Sequence, residues 1–296
     1  MYRSALLLTW SLFMLPLSGF ATLNPNQPLS EAPPFSLFAE WAKPVKPFRI
    51  ADNVWYVGTE NLSSILITTS EGHILVDGAL DASAQNIRQN IESLGFNIHD
   101  IRLILNSHAR LDQAGGISKL KLWSGALLAA SQANADQMGR GGKDDFALGD
   151  ALPFPPVTTD IIVHNGETIN LGEVTIKALL TPGHLPGSTS WLFSLPHGRT
   201  MIYADSLATP GYYLVDNKNY PALVNDIRTS FATLSAQHVD IFIANKGERF
   251  NLAEKRTRLY AGDKNAFTDR DGLQKYVSQS KQTFEELLKK QAGFSK

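Results

Sequence analysis

The chain has 296 residues, no cysteine and a formal net charge of -1, with 43% hydrophobic and 19% charged side chains. That apolar fraction supplies a large core and excludes a disordered chain, and the missing cysteines exclude disulfides. Near-neutral charge without a basic cluster excludes nucleic acid as the main partner, because phosphates call for concentrated positive charge.

Residues 1–21 read as a secretory signal peptide: a basic start at Met1-Tyr2-Arg3, an apolar run over 5–17 and small residues at Gly19 and Ala21. The apolar run is shorter than the roughly 20 residues of a permanent span. The mature chain is therefore expected to start near Thr22, in the periplasm or outside the cell, without a membrane anchor. Residues 22–47, rich in Pro and Asn, read as an irregular arm with Trp41 as a packing anchor. Residues 54–57, 64–68 and 73–76 are β-branched and aromatic runs separated by turn residues, which predicts consecutive antiparallel strands. Residues 82–94 carry Ile87, Ile91 and Leu94 at helical spacing and stop at Gly95. An apolar strand over 101–105, a short helix over 116–122, a strand over 126–130 and a helix capped by Ser131 follow.

The Gly- and Pro-rich stretch 139–156 divides two halves of one domain spanning 22–296. The second half begins with strands over 161–163, 168–170 and 174–180, then a loop with His184, then strands over 190–193 and 201–203. A helix over 223–234, a strand over 241–243 and two terminal helices complete it. Strands dominate and helices arrive late in each half, so two packed sheets covered by helices are expected. No heptad or sticky edge shows, and a monomer is expected.

Four polar segments follow apolar strands, where loops on a rigid scaffold carry function. They are Asn106-Ser107-His108-Ala109-Arg110-Leu111-Asp112-Gln113-Ala114-Gly115-Gly116, Thr181-Pro182-Gly183-His184-Leu185-Pro186-Gly187-Ser188, Tyr203-Ala204-Asp205-Ser206-Leu207 and Ala244-Asn245-Lys246-Gly247-Glu248. Gly115 and Gly116 are expected to let the loop turn into a helix, and Gly183 and Gly187 to shape the His184 loop. Asp77 closes a strand, either as an orienting carboxylate or as a turn residue.

In this order the four segments resemble the metal-binding loops of metallo-β-lactamases, most of all the third subclass, the zinc enzymes without a cysteine ligand. The resemblance runs from about residue 50 to 264 and is strongest over 103–108, 181–184 and 203–207, with Pro210-Gly211-Tyr212 adding to it. It implies an αββα sandwich of two mixed sheets, helices on the outer faces and a zinc cleft along one edge. The family pattern His-x-His-x-Asp-His stands here as His108, Arg110, Asp112 and Gln113; the next histidine ligand matches His184 and the last matches Lys246. In the family, the positions of His108, Arg110 and His184 form one zinc site and those of Asp112, Gln113 and Lys246 the other.

Three of the six positions are altered. Arginine has no lone pair to give a metal and stays protonated. Gln113 offers only a neutral amide oxygen, and Lys246 coordinates only after losing a proton held with a pKa of about 10.4. Two zinc ions are therefore not expected. One zinc on His108, His184 and Asp112 would leave an open position for water, as catalysis needs. In that reading His108, His184 and Asp112 are catalytic, while Ser206, Lys246 and Arg110 line the substrate. In a metal-free alternative, Arg110 replaces the missing cation by pairing with Asp112. Three functions stay open: hydrolysis of a β-lactam amide, hydrolysis of another substrate such as a lactone on the same fold, and metal-free binding of an anion in the periplasm.

Overall fold

The computed structural model describes residues 39–294; the signal-peptide reading and the arm up to residue 38 lie outside the described residues. Twelve strands form two sheets among these residues. Strands β1 (Phe48–Ala51), β2 (Val54–Tyr56), β3 (Ile65–Thr69), β4 (Gly72–Val76), β5 (Ile101–Leu105), β6 (Leu127–Ala130) and β7 (Ile161–Ile162) lie in chain order in the first. The second has the order β12-β11-β10-β9-β8, with β8 (Thr168–Leu171), β9 (Val174–Leu180), β10 (Thr189–Ser194), β11 (Thr200–Ala204) and β12 (Ile241–Ala244).

Both sheets are mixed. The β1 to β4 pairs are antiparallel and those from β4 to β7 parallel. The change comes where helix α1 (Ala84–Ser93) carries the chain back across the sheet, as a parallel connection requires.

Period-two burial divides the first sheet between two cores. Ile65, Ile67, Ile74, Val76, Leu103 and Leu105 face the second sheet. Leu66, Leu75 and Ile104 face outward, onto Ile87 and Ile91 of α1 and Ile117 and Leu120 of α3 (Ile117–Ser124). Here α3 follows the short α2 (Leu111–Ala114), and α4 (Gln132–Gly139) comes next. Ser131 caps α4, its Oγ accepting from Asn134 N–H at 3.4 Å. On the far face of the second sheet Phe231 and Leu234 of α5 (Leu223–Ser235) meet Val277 and Phe284 of α7 (Gly272–Phe294) in the same core, with α6 (Leu252–Tyr260) between them in sequence. Each such apolar side chain contributes roughly 1.5–3 kcal/mol when fully buried. The layers are helix, sheet, sheet, helix, the αββα sandwich that the sequence implied.

Two readings change. The strand over 161–163 was expected to open the second half, but its first two residues form β7, which pairs with β6 and closes the first sheet. Gly115 and Gly116 have ordinary helical φ/ψ. What requires glycine there is close approach: a Cβ on Gly116 would lie 2.2 Å from the Gly78 carbonyl oxygen, and one on Gly115 2.4 Å from that of Leu111. Gly183 does need its freedom, with φ of +130°.

Direction decides where the loops meet. β9 and β11 both run antiparallel to β10, and β12 runs parallel to β11, so all three end at one edge of their sheet. Hydrogen bonds tie that edge to the first sheet: Ser63 N–H to Asn245 O at 3.0 Å, Thr189 N–H to Ser107 O at 2.8 Å and Tyr203 OH to Asp77 Oδ2 at 2.9 Å. The loops after β4, β5, β9, β11 and β12 are thereby drawn together.

Candidate active site

His108 is fully buried between two carboxylates. Its Nδ1 lies 2.7 Å from Asp205 Oδ1 and its Nε2 3.2 Å from Asp112 Oδ1. Burial opposes a charge on the ring, yet the two carboxylates outweigh it and push the His108 pKa up to about 10. Lys246 holds the other oxygen of Asp112, with Nζ 3.2 Å from Oδ2, and lies 4.0 Å from the centre of the Trp41 ring. Burial alone would raise the Asp112 pKa; Lys246 and His108 instead hold it well below the usual carboxylate range. Asn245 donates to Asp205 Oδ1 at 2.8 Å.

His184 meets the His108 ring edge to face, with centroids 4.8 Å apart. Its Nδ1 is 2.7 Å from the Ala208 carbonyl oxygen, which accepts only, so Nδ1 carries the proton and Nε2 a lone pair. Burial, with His108 and Arg110 adding to it, lowers the His184 pKa to about 3 and keeps the ring neutral.

Arg110 departs from expectation. Its guanidinium grips Asp145 with two bonds, Nε to Oδ2 at 2.7 Å and Nη2 to Oδ1 at 2.8 Å, and Nη1 donates to the Tyr212 hydroxyl. The pairing with Asp112 that the metal-free alternative called for is not formed. Arg110 has extended backbone as the residue before α2, and Asp112 is two positions on, where side chains do not face each other along a helix. Gln113 donates from Nε2 to Asn245 O at 3.1 Å and leaves Oε1 buried with no hydrogen-bond partner. The Ser206 hydroxyl accepts from Ala208 N–H at 3.2 Å, which fits the turn role. Asp77 accepts from Ser107 N–H at 2.7 Å, from the Ser107 hydroxyl at 2.5 Å and from Tyr203, and so orients the loop that bears His108.

The structure thus gathers His108, Asp112 and His184 into one buried cluster with Lys246 at its partly open side and Gln113 beside it, and turns Arg110 aside. Asp205, Asn245, Asp145 and Tyr212 are added. The segment holding Asp205 stood out in the sequence, but nothing there marks its carboxylate as the partner of a histidine 97 positions earlier.

Two imidazoles and a carboxylate are ordinary zinc donors. The lone pair on His184 Nε2 and the carboxylate behind His108 fit such an ion, because metal-binding histidines commonly anchor their other nitrogen in this way. The second family site does not fit, since Lys246 puts an ammonium there and Gln113 contributes at most one oxygen. Among the described residues no three His, Asp or Glu side chains stand ready as a metal cage, for His108 and Asp112 are engaged with each other.

Residues 57–263 match the family model described as the metallo-beta-lactamase superfamily. A metallo-β-lactamase of Cronobacter sakazakii described by a HARLDQ motif is 64% identical with a TM-score of 0.86, over 86% of this chain and 99% of that one. Residues 108–113 here spell the same six letters. BJP-1, a subclass B3 metallo-β-lactamase of Bradyrhizobium japonicum, is 34% identical with a TM-score of 0.81, over 87% and 98% of the two chains. FEZ-1 from Legionella gormanii is 37% identical with a TM-score of 0.81, over 84% and 98%. A curated relative, a probable metallo-hydrolase of Burkholderia pseudomallei, is 25% identical over 171 residues; the match spans 52% of this chain and 57% of that protein.

Proposed function

The chain belongs to the metallo-β-lactamase superfamily, and from that premise we propose that it hydrolyses the amide bond of β-lactam antibiotics, as a monomer in the periplasm, with one zinc ion. The observation that carries this reading is the convergence of His108 and Asp112, from a six-residue segment shared with a metallo-β-lactamase of the same fold, with His184 from a second loop in one buried cluster. His108, His184 and Asp112 are the residues that would hold the ion. Zinc supplies Lewis acidity and makes water a nucleophile near neutral pH.

The chain's own groups do the rest. Asp205 fixes the His108 ring through Nδ1, and the Ala208 carbonyl fixes His184. Asp112, held below the usual carboxylate range, stays ionised and would orient the attacking water by accepting its hydrogen bond. Lys246, partly open to solvent, attracts the carboxylate that β-lactam substrates carry and acts as a point charge. Signal-peptide anatomy supports the compartment.

The test is elemental analysis of the purified chain, with and without added zinc, beside turnover of a chromogenic cephalosporin and of a lactone. About one zinc per chain with chelator-sensitive lactam turnover is expected. Lactone turnover alone would move the assignment to another ester hydrolase. Finding neither metal nor turnover would favour the anion-binding reading.

A further inference from the structure

We infer that Arg110 is a positioning residue: through Tyr212 and Asp145 it locks the His184 loop and the 145–149 loop against the cleft, rather than binding substrate. The inference rests on the role given to His184 in the proposed hydrolysis.

Arg110 is only 7% exposed, and its donors are directed to two partners. A guanidinium donates and never accepts. Tyr212 must therefore turn an oxygen lone pair toward Arg110, and its hydroxyl proton goes the other way, to the His184 carbonyl oxygen 2.9 Å off. Arg110 thus sets the polarity of a hydroxyl that holds the main chain of His184. The tyrosine ring also stacks on the His184 ring, with centroids 6.1 Å apart. Together with the Ala208 contact at Nδ1, this fixes His184 at both main chain and ring. The preceding residue gives no slack, because Gly183 packs so tightly that a Cβ would lie 2.7 Å from the Ile227 side chain.

The other arm of the fork acts on the 145–149 loop. Asp145 and Gly149 exchange main-chain hydrogen bonds at 3.2 and 2.8 Å, closing the loop on itself. Asp145 Oδ1 also accepts from Ala147 and Leu148 N–H, at 2.8 and 3.0 Å. This folded unit meets the cleft through the Arg110–Asp145 pair and through Phe146, whose ring lies edge-on to Tyr212 at 5.1 Å. A substrate carboxylate would have to displace Asp145 from a bidentate, buried pair to reach Arg110.

The experiment uses the full mature chain labelled with ¹⁵N-histidine, as parent, Tyr212→Phe and Arg110→Lys. Ring ¹⁵N spectra report the His184 tautomer without needing metal or substrate, and cephalosporin kinetics run in parallel. In the parent His184 should show one tautomer, with the proton on Nδ1. Both variants should add a second His184 population and lower kcat about tenfold with KM within about twofold, the pattern of a displaced catalytic group. Arg110→Lys keeps the charge but loses the fork; an unaltered Lys variant would mean that Arg110 supplies charge alone, and would overturn the inference. So would unchanged His184 spectra in both variants, or a raised KM with kcat intact in Arg110→Lys, the signature of substrate binding. If Arg110→Lys does not fold, Tyr212→Phe decides, since it removes one oxygen and keeps the ring. A parent without lactam turnover would sink the proposed function, while the ring spectra would still decide this point.

Discussion

Lys246 and His108 take one oxygen each of the Asp112 carboxylate, both at 3.2 Å. With Asp205 on the far side of His108, the side chains form one row, Lys246, Asp112, His108, Asp205, each holding the next. The row holds itself together through the chain's own side chains.

The first prediction follows from that row. Treating the zinc-loaded protein with a chelator should abolish turnover yet leave a folded chain with a cooperative thermal transition. Circular dichroism during heating checks it; loss of cooperativity would mean that the site needs metal to form, as in small zinc domains.

Replacing Gln113 and Lys246 together by histidine restores two imidazoles at the second family position. Metal content should rise from about one ion to about two per chain. An unchanged count would refute the placement of these residues at a metal site. Adding Arg110→His should lower the melting temperature, because Asp145 is then left buried without its cation.

Asp145 also gives a pH signature. Burial would raise its pKa, but Arg110 beside it more than offsets this, so the folded value lies below the unfolded one. The folded state then binds fewer protons than the unfolded chain across that interval. The stabilisation is present above the unfolded carboxylate value of about 3.9 and disappears as pH falls through the folded pKa. Asp145→Asn should cost about 3–5 kcal/mol at neutral pH, as breaking a buried pair does. Urea midpoints at pH 7 and at acid pH should show the parent losing stability more steeply than the variant.

Glycine contacts separate close approach from backbone freedom. Gly116→Ala should destabilise by about 1–3 kcal/mol or more, since the new methyl meets the Gly78 carbonyl. Gly139→Ala, at the end of α4 with nothing within 4 Å, should be neutral or slightly stabilising. Equal effects in thermal melts would contradict the contact argument.

Much of the fold was legible because its strands read as apolar or alternating runs stopped by polar loops: β5 and β9 lie where the sequence put them. The two-residue β7 has no periodicity, and only its pairing with β6 says which sheet it joins. His108, Asp112, His184 and Lys246 were legible as polar residues following such strands. Arg110 was misread because its partners lie 35 and 102 positions away, a distance that the folded chain alone closes. Asp145 sits in a Gly- and Pro-rich loop that gives no local sign of a buried ion pair.

Near the end of α7, Gln291 accepts from Leu214 N–H at 2.7 Å and donates to the Tyr212 carbonyl oxygen at 2.8 Å. The carboxyl-terminal helix therefore braces the tyrosine on which the His184 loop rests. A polyhistidine tag fused behind that helix would pull on this brace and add competing imidazoles a few residues away. Zinc counts on such a fusion would mix the tag with the cleft; a cleavable tag at the amino end of the mature chain keeps the two apart.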